Sequence, residues 1–313
     1  MSNARREFLL ELENVKGSVG LEIGPLNKPL VKKEELENDG EIFYLDHLST
    51  EELQEKYKDE ASVKTDEIVS VDFVCRDGDI LKATSGHAFD YVVASHVIEH
   101  APNLLLCLSE IHNVLKPGGT CVLIIPDKRF TFDVNRPVST FGSVLENFLS
   151  KTTYPSISAV YDHSAMAINA NGHNLWHGIV NTDDTRLLAS ENIGWEAAHR
   201  VHKEGHYYDV HVNIFTPESF CSILKKAISH EIVFFEVSKF VDTQVGQIEF
   251  MLQLKKPQNE ANELVKSRCL ASIPKFDIES ILSPYMPQVK ALSNALENSS
   301  KINLKLQNEI DIF

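Results

Sequence analysis

Imidazole and carboxylate groups gather in a few short segments of this 313-residue chain. It has 13 histidines, and His163, His173, His177, His199, His202 and His206 fall in one weakly periodic stretch from about Arg136 to Tyr208. A histidine titrates near neutrality, so it can take a proton from a reacting hydroxyl. In Asp162-His163 a carboxylate stands next to an imidazole, and in extended chain Asp209-x-His211 puts both side chains on one face. His211 and His163 are therefore candidate bases. Asp127, which opens the charged turn Asp127-Lys128-Arg129, is a third catalytic candidate. Arg129 offers a bidentate fork for a substrate phosphate or carboxylate. The plainer alternative makes each of these a surface or hydrogen-bonded structural group.

His96-x-x-Glu99-His100 has i+3 and i+4 spacing, which brings three possible ligands to one side if the segment turns helical. Imidazole plus carboxylate could hold a divalent ion. The favoured reading has no metal: the segment holds a loop, His100 joins Arg129 at the substrate, and activity survives a chelator.

These residues need elements to position them. Ser18–Ile23, Glu41–Leu45, Ile68–Val74, Asp90–Ala94 and Thr120–Ile125 read as strands, with a helical pattern over Ser49–Lys58. Pro102 suits a first helical turn. Leu104, Leu108, Ile111 and Leu115 make an apolar face, and Pro117-Gly118-Gly119 stops it. Alternating strands and helices argue for a parallel sheet covered on both faces. A further helix starts at Thr216-Pro217, and Glu231–Val237 and Gln247–Leu254 are late strands.

Open α/β sheets bind ligands at strand carboxyl ends. Three features lie there. Gly24, after Glu22 and before Pro25, lets backbone approach a ligand. Asp46 can accept from ribose hydroxyls. Asp72-Phe73 pairs an acid for an adenine amine with an aromatic to cover its face.

Composition narrows the class. The formal net charge is -15, from 45 acidic and 30 basic residues, so nucleic acid is not the expected partner. The five cysteines are scattered without a C-x-x-C pair, as suits a reducing, cytoplasmic setting. No apolar run is long enough to span a membrane.

Phe89–His100, the helix after it and Leu115-Lys116-Pro117-Gly118-Gly119 resemble class I S-adenosylmethionine-dependent methyltransferases, most closely the bacterial small-molecule group. Gly24-Pro25-Leu26-Asn27-Lys28-Pro29, Ser95–His100, Pro126–Arg129 and Asp209–Pro217 are similar to a bacterial subgroup of it associated with glycan genes. The resemblance covers about Gly17 to Asp133. It implies a Rossmann-like α/β sheet of seven strands. It implies S-adenosylmethionine, its methionine end at Glu22 and Gly24, its ribose at Asp46 and its adenine at the position of Asp72, with Pro25 and Phe73 counted in the same cofactor-binding set. Ser95 and His96 would line the cofactor and substrate sites.

The expected division is a core of residues 1–135 and 209–257, an inserted substrate lid over 136–208, and a tail over 258–313. The tail carries the stripe Val289, Leu292 and Leu296, so it docks or joins copies of the chain. The expected activity is O-methylation of a glycan or other small molecule. The alternative is a non-catalytic cofactor- or partner-binding module, which turnover of S-adenosylmethionine in a pool of nucleotide sugars would separate from it.

Overall fold

The computed structural model describes residues 3–177, 186–205, 208–259 and 262–276. Seven strands form one sheet: β1 Val19–Ile23, β2 Glu41–Asp46, β3 Phe73–Val74, β4 Phe89–Ser95, β5 Leu115–Pro126, β6 Glu236–Val241 and β7 Glu249–Lys255. Their order is β3-β2-β1-β4-β5-β7-β6. The first five pair in parallel, and β7 lies antiparallel between β5 and β6. Chain order reverses between β1 and β4, which opens a crevice at their carboxyl ends. This is the Rossmann-like sheet expected of the sequence.

The helices are α1 Asn3–Leu10, α2 Thr50–Lys56, α3 Ile80–Ala83, α4 Leu104–Val114, α5 Phe141–Leu149, α6 Ile157–Met166, α7 Gly172–Trp176, α8 Glu191–Glu204, α9 Pro217–Ser229 and α10 Glu263–Ser272. Side-chain caps start most of them. Asn103 accepts from Leu106 N–H at the start of α4, and Thr216 with Ser219 closes a capping box ahead of Pro217 in α9. Leu104, Leu108 and Ile111 of α4 then bury against Leu21, Val92 and Leu123 of the sheet, in one core with Phe220 and Leu224 of α9. Each such side chain contributes roughly 1.5–3 kcal/mol when removed from water. The opposite face is covered by Phe8 and Leu9 of α1 and by Leu30 and Val31 of the loop after β1.

Several boundaries differ from the sequence reading. β3 is only Phe73–Val74, because Ile68–Asp72 precede it as irregular chain. β6 begins at Glu236 instead of Glu231. There α9 continues to Ser229, and the chain reverses through Glu231, whose φ is +60°. β5 extends back to Leu115, which pairs with Phe89 before a register shift.

The tail divides differently too. Val265 and Cys269 of α10 belong to the main core, and Ser272 Oγ accepts from Val237 N–H. Residues 262–276 are thus part of the domain instead of a separate tail. The stripe Val289, Leu292 and Leu296 lies outside the described residues. In the expected lid, α5 sends Val144 into the main core, while α6 and α8 pack around Val160, Ala197 and Val201. Trp176 of α7 stacks on Phe130 at 3.8 Å and donates to the Gln247 carbonyl, which anchors this unit to the end of β5. Among the described residues no helix is long and apolar enough to cross a membrane.

Candidate active site

A cavity of about 370 Å³ opens at the carboxyl ends of β1 and β2. Gly24 forms its floor at φ +64°, where its N–H donates to the Leu45 carbonyl. A Cβ there would stand 3.1 Å from Val97 Cγ2, in a backbone region that side chains rarely adopt. Asp46 ends β2 nearly buried, and its Oδ1 accepts from the backbone N–H of His47 at 2.7 Å. Arg76, Asp77 and Gly78 make a third wall, and Val97, His100 and Ala101 a fourth.

Of the residues expected around a cofactor, Gly24 and Asp46 line this cavity, and His100 joins them from the substrate set. Glu22, Pro25, Asp72, Phe73, Ser95 and His96 do not. The Glu22 oxygens accept from Leu30 N–H at 2.8 Å and Val31 N–H at 3.1 Å, so they hold the loop that covers the sheet. Burial raises the Glu22 carboxyl to about 7 against those two amides. Asp72 accepts from Tyr44 N–H and Lys33 Nζ, and Phe73 packs on Phe43 and His87. The short β3 explains this shift, since the chain reaches the cavity three to five residues later, at Cys75–Asp77. His96, at φ +55°, meets Glu249 Oε2 at 2.7 Å beside Arg5.

The charged turn after β5 is also internal. Asp127 is 0% exposed and accepts from Arg129 N–H, Nε and Nη2 and from Thr243 Oγ1. Arg129 is thus spent on a buried partner, which removes it as an open clamp and leaves Asp127 no free oxygen for proton transfer.

Histidines converge instead beyond Val97. His100 contacts the His211 ring edge-on at 4.7 Å. His211 Nδ1 bonds Asp133 Oδ2 at 2.5 Å, and Asp133 Oδ1 accepts from Arg136 Nη1 at 2.7 Å. Arg136 Nη2 in turn donates to the His211 carbonyl. Burial would raise the Asp133 carboxyl, but His211 and Arg136 more than offset it and hold it low. Asp209, expected beside His211, pairs with His100 Nδ1 at 3.0 Å and Lys56 Nζ at 2.6 Å. Burial alone would raise its carboxyl too, yet those two cations hold it well below the usual range. The His100 imidazole is pulled down by burial but raised overall by Asp209 and Glu99. His163 faces Phe132, as His211 does. Burial and the nearby Arg136 lower it to about 4, so it is neutral at pH 7. Its expected partner Asp162 lines a different groove, with Tyr161 and Trp195.

Glu99 sits among these groups with 0% exposure. Among the described residues neither of its carboxylate oxygens has a hydrogen-bond partner, and His96 Nδ1 lies 3.6 Å away. Its backbone carbonyl accepts from Val212 and Asn213 N–H, which ties the loop after β4 to the segment carrying His211.

Residues 34–123 match a family model described as a methyltransferase domain. No curated protein matches. Solved structures match at low identity and low similarity. A protein from Rhodobacter sphaeroides described as a zinc-dependent alcohol dehydrogenase is 14% identical, with a TM-score of 0.44 over 82% of this chain and 90% of its own. An S-adenosylmethionine-dependent methyltransferase from Aquifex aeolicus is 12% identical, with a TM-score of 0.40 over 80% and 89%. One from Methanosarcina mazei is 13% identical, with a TM-score of 0.40 over 81% and 98%. At such scores the likeness carries no argument about activity. The matched segment spans β2 to most of β5 and is what this chain shares with methyltransferase domains. The cavity is lined by the Gly24 turn, the Asp46 carboxylate at the end of β2 and the apolar side chains of Ile23, Leu48 and Ile80, a lining that fits the S-adenosylmethionine expected from the sequence.

Proposed function

We propose that this domain methylates an oxygen of a small hydroxylated acceptor, free or within a glycan. The supporting observation is the contact of His100, which lines the cofactor cavity, with His211, which Asp133 orients from behind. S-adenosylmethionine supplies a methyl group activated by its sulfonium. The chain must hold that methyl in line with the acceptor oxygen, exclude water and remove the acceptor's proton. Gly24 and Asp46 would seat the cofactor, with Asp46 on the ribose hydroxyls. His100 and His211 face the position left for the acceptor. Asp133 engages His211 Nδ1, which leaves Nε2 as the nitrogen able to take a proton. His163, neutral and behind Phe132, is a weak base and keeps the pocket uncharged on that side.

The acidic surface weighs against a phosphate polymer as acceptor. Turnover of S-adenosylmethionine against pools of nucleotide sugars and of hydroxylated small molecules tests the reading, with demethylated cofactor as readout. Methyl transfer to a hydroxyl supports it. Cofactor binding with no turnover in any pool favours a non-catalytic module, and product methylated on nitrogen overturns the O-directed part.

A further inference from the structure

We propose that Glu99, His100 and His211 bind one divalent cation of the zinc class. These three residues each offer a ligand atom, and the three atoms lie within 4.8 Å of one another.

The burial of Glu99 is the first reason. A carboxylate removed from water without hydrogen bonds is strongly disfavoured, and a nearby cation is one of the few ways to offset that. Glu99 is 0% exposed, and among the described residues its two oxygens have no hydrogen-bond partner. His96 Nδ1 stands 3.6 Å away, but the other nitrogen of that ring bonds Glu249 at 2.7 Å, and His100 beside Glu99 is shared with Asp209.

The second reason lies behind the imidazoles. A metal-bound histidine usually gives its other ring nitrogen to a carboxylate, which fixes the tautomer and raises ligand basicity. The His211 ring has that arrangement, with Asp133 Oδ2 bonded 2.5 Å from its Nδ1, and the His100 ring has a carboxylate in ion-pair range, Asp209 Oδ1 at 3.0 Å from Nδ1, without a formed hydrogen bond. Their Nε2 atoms remain for a ligand role. The backbone is set as well, because the Glu99 carbonyl accepts from Val212 and Asn213 N–H, and Asn213 Nδ2 donates to the Ile98 and Ala101 carbonyls. Two separate chain segments are thereby held in register around the donors.

Two imidazoles and one carboxylate suit zinc and its neighbours better than calcium or magnesium, which prefer all-oxygen sets. Three protein ligands leave a position open, on the side where His100 meets the cofactor cavity. The role rests on the methyl-transfer reading and changes one part of it. A cation there lowers the pKa of an acceptor hydroxyl, as it does for water. The hydroxyl proton then leaves to solvent. The oxygen lone pair forms the new O–C bond while the C–S bond breaks with its electron pair on sulfur. His211 serves as ligand instead of as base.

The test uses the full chain, stripped with chelator and titrated with Zn²⁺ by calorimetry, with Co²⁺ absorption as a second readout of an imidazole-containing site. One cation per chain is expected. Glu99→Gln and His211→Asn should each weaken it at least 100-fold, and Asp133→Asn about tenfold. The surface variant His202→Asn should leave it unchanged, and binding of demethylated cofactor should stay within threefold in every variant. Absence of Zn²⁺ binding, or binding indifferent to both Glu99→Gln and His211→Asn, overturns the site. Turnover that persists in chelator with no bound metal also overturns it and leaves the methyl-transfer reading standing. Site-specific Zn²⁺ binding in a chain that never binds cofactor supports the metal site and overturns the methyl-transfer reading instead.

Discussion

The turns after β1 and β4 leave the same end of the sheet on adjacent strands, and each combines a left-handed residue with a buried glutamate: Gly24 with Glu22, and His96 with Glu99. Around Glu22 the loop folds back and donates two amides to the carboxylate. Around Glu99 the loop donates nothing to the side chain, and imidazoles gather instead. Burial alone therefore says little about the task of an acid. A buried acid that its own loop meets ties that loop to the sheet, whereas one left unsatisfied, with ligand-type groups facing it, is the feature on which the proposed cation site rests.

Four experiments break or sharpen that contrast. His211→Asn should lower turnover by 10²- to 10⁴-fold, whether it takes the acceptor's proton or holds the cation that acidifies the acceptor, with cofactor affinity unchanged. Steady-state rates with matched cofactor calorimetry check it, and a loss under tenfold would take His211 out of the reaction.

Glu22 predicts a pH effect on stability alone. Its carboxyl rises from 4.5 unfolded to about 7 folded, because burial disfavours the charge. The folded state binds that proton more tightly. The contribution is thus full below pH 4.5 and is lost as pH rises through 7, by an amount on the order of 3 kcal/mol. Urea unfolding of the parent chain and Glu22→Gln across that window should give curves of different slope; parallel curves would remove the effect.

Asp46→Ala, on the strand next to Glu22, should weaken cofactor binding by about 1.5–3 kcal/mol, the worth of a hydrogen bond to a charged group. Unchanged affinity by calorimetry would take Asp46 out of the site. The smallest effect has the opposite sign. In chelator-treated protein, Glu99→Gln should raise stability by about 1 kcal/mol, or a few degrees of melting temperature, because it removes an unsatisfied buried charge. A clear drop in melting temperature would make Glu99 a latch like Glu22.

Much of the frame was legible in sequence. Periodic apolar faces, Pro102 and the Thr216-Pro217 cap place α4 and α9, and the strand runs place β1, β2, β4 and β5 within a few residues. Gly24 and Asp46 line the cavity because strand ends fix their position. The extent of β3 is not legible, because Ile68, Val69 and Val71 look like strand while only Phe73–Val74 pairs. The partners of the histidines were not legible. Asp162 and Asp209 are close in sequence to His163 and His211, yet His211 pairs with Asp133, a contact 78 residues apart that only the fold creates. A faint signal existed, since Asp133 and Arg136 are opposite charges three apart next to Phe130-Thr131-Phe132. The unsatisfied state of Glu99 depends on three-dimensional packing and leaves no trace in residue type.

The seating of α10 has a practical consequence. β6 is the outermost strand of the sheet, and an outermost strand with free amides recruits strands from other chains. Ser272 Oγ takes the Val237 amide, while Val265 and Cys269 cover apolar surface beside it. A chain cut at residue 257 would lose that protection and self-associate through β6.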